Sequence, residues 1–357
     1  MSRRIEKARE KFIPNNIDGF ISYKIENIRY LTGFSGSTAI TILTKNEAFF
    51  LTDFRYKAQA GYEVNRDFTI RESKKINDLL SEVINSLNLK TVGFESHLPY
   101  SMYEELKNKL DSIQLVPAKN IIEDIRIVKE PLEIELIRES IKITERAFRG
   151  VKGMIRQGSR EDEIAIEMEY RLRKEGAEKI AFDTIIASGE RGALPHGKAS
   201  NKIIENGELV IVDFGSTYKG YNTDCTRTLS TDGFNARQEE IYKTVLMAQR
   251  EAIKSVKPGL KASEIDSKAR GFITDAGYGE NFGHSTGHGV GLEVHEEPRI
   301  AEGQDDIIRE GSVFTIEPGI YIQEWGGVRI EDMVVVTKDG CEVLTSAIEK
   351  EFEIKGE

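Results

Sequence analysis

The run Glu205-Asn-Gly-Glu-Leu-Val-Ile-Val-Asp-Phe-Gly215 has a near copy 104 residues downstream, Arg309-Glu-Gly-Ser-Val-Phe-Thr-Ile-Glu-Pro-Gly319. Each is a short apolar strand pattern that ends on an acid, and the alignment sets Asp213 against Glu317. Working outward, Ala147, Gly158, Glu163, Ile164 and Gly176 recur as Ala248, Gly259, Glu264, Ile265 and Gly277 at a shift of 101. The second part of the chain therefore reads as a duplicated unit of helices followed by a strand pair. Each pair carries two acids: Asp213 with Asp224, and Glu317 with Glu331. Packing the halves about a pseudo-twofold axis would bring all four to the centre.

Four carboxylates gathered without compensation repel one another and take up protons, whereas two adjacent dications balance their charge and can activate water. His288 adds one imidazole. It lies in His284-Ser-Thr-Gly-His-Gly-Val-Gly-Leu-Glu-Val-His295, where glycines let backbone approach closely. The expected ligands are Asp213, Asp224, His288, Glu317 and Glu331. This mostly oxygen set suits manganese, cobalt or iron(II) and also accommodates catalytic zinc. Strand alternation puts Thr226 on the face of Asp224, and Arg329 on that of Glu331, as groups that hold the carboxylates. The same alternation turns Cys225 away, as a small core residue. His97 stands apart from the other histidines and is given no function.

At 357 residues the chain is too long for one ordinary core and fits two domains. Residues 1–125 alternate short strands, such as Ala39–Leu43, Ala48–Leu51 and Thr91–Phe94, with charged helical stretches, and read as a small α/β domain. Residues 126–357 form the second domain. It opens on a long amphipathic helix after Pro131 that presents Leu132, Leu136, Ile137, Ile141, Thr144, Ala147, Phe148 and Val151. The formal charge of −10 argues against a nucleic-acid partner. Two cysteines make no disulfide framework, the start MSRRIEKARE lacks the apolar core of a signal peptide, and no apolar run approaches the roughly 18 residues of a membrane span. A soluble cytoplasmic enzyme is expected.

The segments Leu194-Pro-His-Gly197, Val212-Asp-Phe-Gly215, Asn222-Thr-Asp-Cys-Thr-Arg227, Gly287-His-Gly-Val-Gly291, Val294-His-Glu296, Thr315-Ile-Glu-Pro-Gly319 and Val328-Arg-Ile-Glu-Asp332 together resemble the pita-bread metallopeptidases, in particular their Xaa-Pro branch of prolidases and aminopeptidases P. Tyr30-Leu-Thr-Gly-Phe-Ser-Gly-Ser37 and Leu51-Thr-Asp-Phe-Arg-Tyr56 resemble the creatinase-type domain that precedes such catalytic units. The resemblance implies a creatinase-like N-terminal α/β domain followed by a pita-bread α+β catalytic domain. Asp213 would bind one ion, Asp224 and Glu331 would bridge both, and His288 with Glu317 would complete the second. His196 and His295 correspond to catalytic histidines that are not ligands, with protonated His295 stabilising the oxyanion and Glu317 shuttling a proton to the leaving nitrogen. His284 and Arg329 fall on the substrate side. The implied activity is hydrolysis of the Xaa-Pro bond of small peptides by a homodimer. A dipeptidase is preferred to an aminopeptidase P, and a methionine aminopeptidase or a non-enzymatic binding module ranks below both.

Overall fold

The computed structural model describes residues 2–351; the outer limits of the two expected domains, residues 1 and 357, lie outside the described residues. The chain divides into two compact units between Arg126 and Ile127. In the first, six strands form one mixed sheet in the order Thr69–Glu72, Ala48–Thr52, Ile40–Thr44, Gly19–Ser22, Thr91–Phe94, Gln114–Pro117. The strand Ile40–Thr44 is buried along its whole length. One face of its sheet is covered by the helix Ile76–Ser86, whose Leu79, Leu80, Val83 and Ile84 recur at helical spacing and pack with Ile21, Ile42 and Val92.

The two N-terminal motifs have structural explanations. Gly33 closes the helix Ile25–Thr32 in the left-handed conformation, φ 86°, that a side chain resists. A Cβ on Gly36 would strike the rings of Phe34 and Tyr56, which meet edge-on. Asp53 caps the turn Phe54–Tyr56, accepting from the Arg55 backbone at 2.9 Å.

The second unit shows its duplication in backbone hydrogen bonds. The Gly158 N–H donates to Ile204 O, and the Gly259 N–H to Ile308 O, both at 2.9 Å. Ala177 pairs with Leu172 as Tyr278 does with Ile273, and the isolated bridge Arg160–Ile203 has its counterpart in Lys261–Ile307. Each half sets two helices against a small sheet. Helices Pro131–Val151 and Glu161–Lys174 lie over the order Cys225–Ser230, Leu209–Phe214, Ile185–Ser188. Helices Ala236–Ser255 and Ala262–Asp275 lie over a sheet containing Gly287–Gly289, Val313–Ile316 and Asp332–Val336.

The helix after Pro131 runs Pro131–Val151 with a capping box between Glu130 and Glu133. Its apolar face differs from the expected one at the start, since Leu132 is 69% exposed and Glu133 is buried. Glu133 accepts a 2.8 Å hydrogen bond from the Tyr221 hydroxyl, and this polar anchor turns the first helical turn so that Leu132 faces outward. Among the described residues no helix is long and apolar enough to cross a membrane.

Candidate metal centre

Asp213 lies near the end of the strand Leu209–Phe214, in register with Thr226 of the neighbouring strand. Asp224 immediately precedes that neighbour, Cys225–Ser230. In the second half, Glu317 follows the strand Val313–Ile316 and His288 is the middle residue of Gly287–Gly289. Sequence alternation treats Arg329 and Glu331 as one strand. The chain instead leaves one strand at Arg329 and enters another at Asp332, in a different sheet, so Glu331 sits in the gap between them. Arg227 bridges that gap from behind. Its buried guanidinium bonds the backbone carbonyls of Glu331 and Thr226 and the Asp332 carboxylate.

The side chains converge. One ligand atom from each of Asp224, His288 and Glu331 lies within 4.8 Å of the others. His288 Nε2 is 3.2 Å from Glu317 Oε1 and 3.6 Å from Asp224 Oδ2. Its Nδ1 is 3.1 Å from Gly289 O, so Nδ1 donates to that carbonyl and, once the ring is neutral, Nε2 is left as the acceptor. Asp213 is gripped through Oδ2 by Arg329 at 2.7 Å, while its buried Oδ1 has no hydrogen-bond partner. Thr226 donates to Glu331 Oε2 at 2.7 Å and accepts from Arg329 Nε at 3.0 Å, which makes it a hub of the centre, as alternation anticipates. Cys225 points the other way, into the core.

Burial and mutual charge set how strongly these groups hold their protons. Burial, then the charge of Asp213, raises Asp224 well above the carboxylate range. Burial, then Asp224, does the same to Glu331. Burial raises Asp213 against the opposing pull of Arg329. Burial alone would raise Glu317, but the hydrogen bond and charge of His288 carry it down to about 2. His288 resists burial and rises to about 9 under Glu317 and Asp224. A buried acceptor with no donor, crowded acids raised toward their protonated forms and an imidazole whose Nε2 is aimed among them together fit divalent cations.

A prediction follows by linkage. Three acids and His288 have raised folded values, so their stabilisation is complete below their unfolded values and is lost as pH rises through the folded ones. For His288 the window runs from the ordinary 6.5 to about 9. The chelated protein should therefore lose melting temperature across that window, and cation loading should abolish the loss while releasing protons into the buffer. Calorimetry in buffers of different ionisation enthalpy reads the release; loading with no proton release would refute this assignment.

Around the carboxylates stand the other expected residues. His295 lies beside His288, ring centroids 4.1 Å apart and the rings tilted by 50°. Burial, then the charge of His288, holds its pKa below the ordinary histidine value. His196 is exposed, and among the described residues its ring has no hydrogen-bond partner. His284 is occupied at both nitrogens, with Nδ1 2.8 Å from Ser285 O and Nε2 2.9 Å from the Tyr321 hydroxyl.

Sequence reasoning missed Tyr321. Its buried hydroxyl accepts from Arg329 at 2.9 Å and links Asp213, Arg329 and His284 into one chain of hydrogen bonds. The available signal was alternation along Gly319–Ile322, where a Cβ on Gly319 would fall 2.6 Å from the Tyr321 hydroxyl, so the glycine leaves room for the phenol.

Comparison with known proteins agrees with this geometry. The family model of metallopeptidase family M24 matches residues 135–338, and that of the Creatinase/Prolidase N-terminal domain matches residues 4–128. An Xaa-Pro dipeptidase of Pyrococcus horikoshii is 43% identical over 97% of both chains. The structure of an Xaa-Pro dipeptidase from Bacillus anthracis superposes with a TM-score of 0.95 at 40% identity, covering 98% of this chain and 99% of that one. An X-Pro aminopeptidase from Thermotoga maritima superposes at 0.86 with 43% identity, covering 93% and 96%.

Proposed function

The chain belongs to metallopeptidase family M24, and from that premise we propose that it is a dinuclear Xaa-Pro dipeptidase in which Asp213, Asp224, His288, Glu317 and Glu331 hold the cations. The convergence of Asp224, His288 and Glu331 on one point carries this reading. Two divalent ions bound there would supply Lewis-acid polarisation of the scissile carbonyl and water activated at neutral pH. The oxygen-rich donor set favours manganese or cobalt.

The chain's own groups do the rest. His295 donates an N–H to the oxygen that gains charge during attack. Glu317, held ionised, can receive a proton and pass it to the leaving nitrogen. Like any amide nitrogen the prolyl nitrogen must gain a proton to depart as an amine, and having no hydrogen in the substrate amide it leaves with that one alone. His196, with its ring free, contacts the substrate. Arg329 holds Asp213 directly, and His284 acts through Tyr321, whose hydroxyl accepts from the same guanidinium. A cytoplasmic homodimer is the setting we propose; the two free cysteines suit a reducing compartment.

The X-Pro aminopeptidase among the similar structures supports a second reading, cleavage of the first residue from longer peptides. A competition assay separates them. With Mn(II) present, the protein receives an Xaa-Pro dipeptide, a longer Xaa-Pro-led peptide and a Met-Ala-led peptide together, followed by mass spectrometry. Loss of the dipeptide alone is expected. Cleavage of the longer Xaa-Pro peptide would make it an aminopeptidase, and no cleavage with Mn(II), Co(II) or Zn(II) would overturn the Xaa-Pro reading.

A further inference from the structure

His196 presents a difficulty. Its ring has no hydrogen-bond partner among the described residues, so where it points is decided by its backbone. That backbone follows the 3-10 turn Gly189–Ala193, in the connection between the strand Ile185–Ser188 and Ser200, which pairs with no strand of its own. Irregular segments are mobile unless something ties them down.

One side chain does so. Glu161, at the start of the helix Glu161–Lys174, is fully buried, and both carboxylate oxygens are spent on this segment. Oε1 accepts from the backbone N–H and the hydroxyl of Ser188, each at 2.8 Å. Oε2 accepts from Arg191 Nε at 3.0 Å, from the Ser200 N–H at 3.2 Å and from the Ser200 hydroxyl at 2.7 Å. The donors come from the beginning, the interior and the end of the segment, with His196 between Arg191 and Ser200. On the side of the metal centre, Arg329 donates to the Pro195 carbonyl at 3.1 Å. The backbone at His196 is thus held between an arginine of the centre and a buried acid behind it.

We infer that Glu161 is a positioning residue for His196: a buried carboxylate that ties both ends of the segment carrying this histidine and so fixes where its ring meets the substrate. The proposal rests on the peptidase reading above. Charge-assisted bonds to several donors suit this task, since together they fix a loop in one geometry. Glutamine cannot replace them, because its –NH2 turns a donor toward donors.

The test is a double-mutant cycle on the full-length, Mn(II)-loaded enzyme. Glu161→Gln should lower kcat on the cleaved Xaa-Pro peptide roughly 10- to 100-fold with metal content unchanged. In a His196→Ala background the same substitution should change kcat by less than about twofold. Equal losses in both backgrounds would show a merely structural role. Ser200→Ala removes one donor only and serves in the same cycle if Glu161→Gln fails to fold. An independent readout uses the histidine ring carbon–proton NMR signals of the chelated protein. The His196 signal, identified by its disappearance in His196→Ala, should shift or broaden in Glu161→Gln and Ser200→Ala while that of His97 stays in place. An unmoved His196 signal, or equal losses in the cycle, overturns the proposal. If the wild-type protein cleaves no Xaa-Pro peptide, the functional reading fails and the ring signal alone decides.

Discussion

Glu331→Gln is expected to bind divalent cations at least about 100-fold more weakly and to lose activity in proportion, because replacing even a group that merely supports a ligand costs up to that much. Glu331 converges with Asp224 and His288, and the change removes a charge without removing volume. The fold should survive. In the metal-free protein burial and Asp224 already push Glu331 toward its protonated form, which the amide resembles. The chelated variant should melt no lower than chelated wild type, since one source of repulsion has gone. Metal analysis after dialysis, with kcat on the same samples, checks this. Wild-type metal content together with wild-type kcat would remove Glu331 from the ligand set.

His295→Ala should behave in the opposite way, with full metal content and a kcat lower by roughly 10²- to 10³-fold, the usual cost of losing one donor to a developing oxyanion. KM should change little, because the donor is needed mainly when charge appears. The protonation state adds a sharper criterion. Burial and the neighbouring His288 hold His295 below the ordinary histidine value. Wild-type kcat should therefore not fall as pH rises through the ordinary histidine range. A fall there, absent from His295→Ala, would restore the protonated donor that the sequence suggests.

Much of the centre could be read from the sequence because it is written twice. Asp213 and Glu317 end matched strands, and that coincidence singled them out among many solvated acids. The strand alternation around Asp224 correctly turned Thr226 inward and Cys225 outward. The same rule set Arg329 beside Glu331, and both do meet at Thr226, although the chain changes sheets between them in a way alternation does not show. Leu132 failed for its own reason: the helical spacing was right, but a buried Glu133 bonded to Tyr221 settled which way the first turn faces. Tyr321 and Glu161 were invisible because their partners are remote in sequence. Glu161 sits 27 residues from Ser188 and 39 from Ser200, and nothing local marks an acid at a helix start as anything but a favourable charge.

The duplication has a mechanical consequence. Asp213 and Asp224 come from one half of the second unit, and His288, Glu317 and Glu331 from the other, so any cation held between Asp224 and His288 spans the seam. It acts as a rivet. Its free energy of binding, about 2.7 kcal/mol at a hundredfold excess over Kd, resists parting of the halves and, because each half supplies ligands, the unfolding of either half as well. Loss of the ion would thus release the joint and withdraw the same support from each of the two halves it fastens.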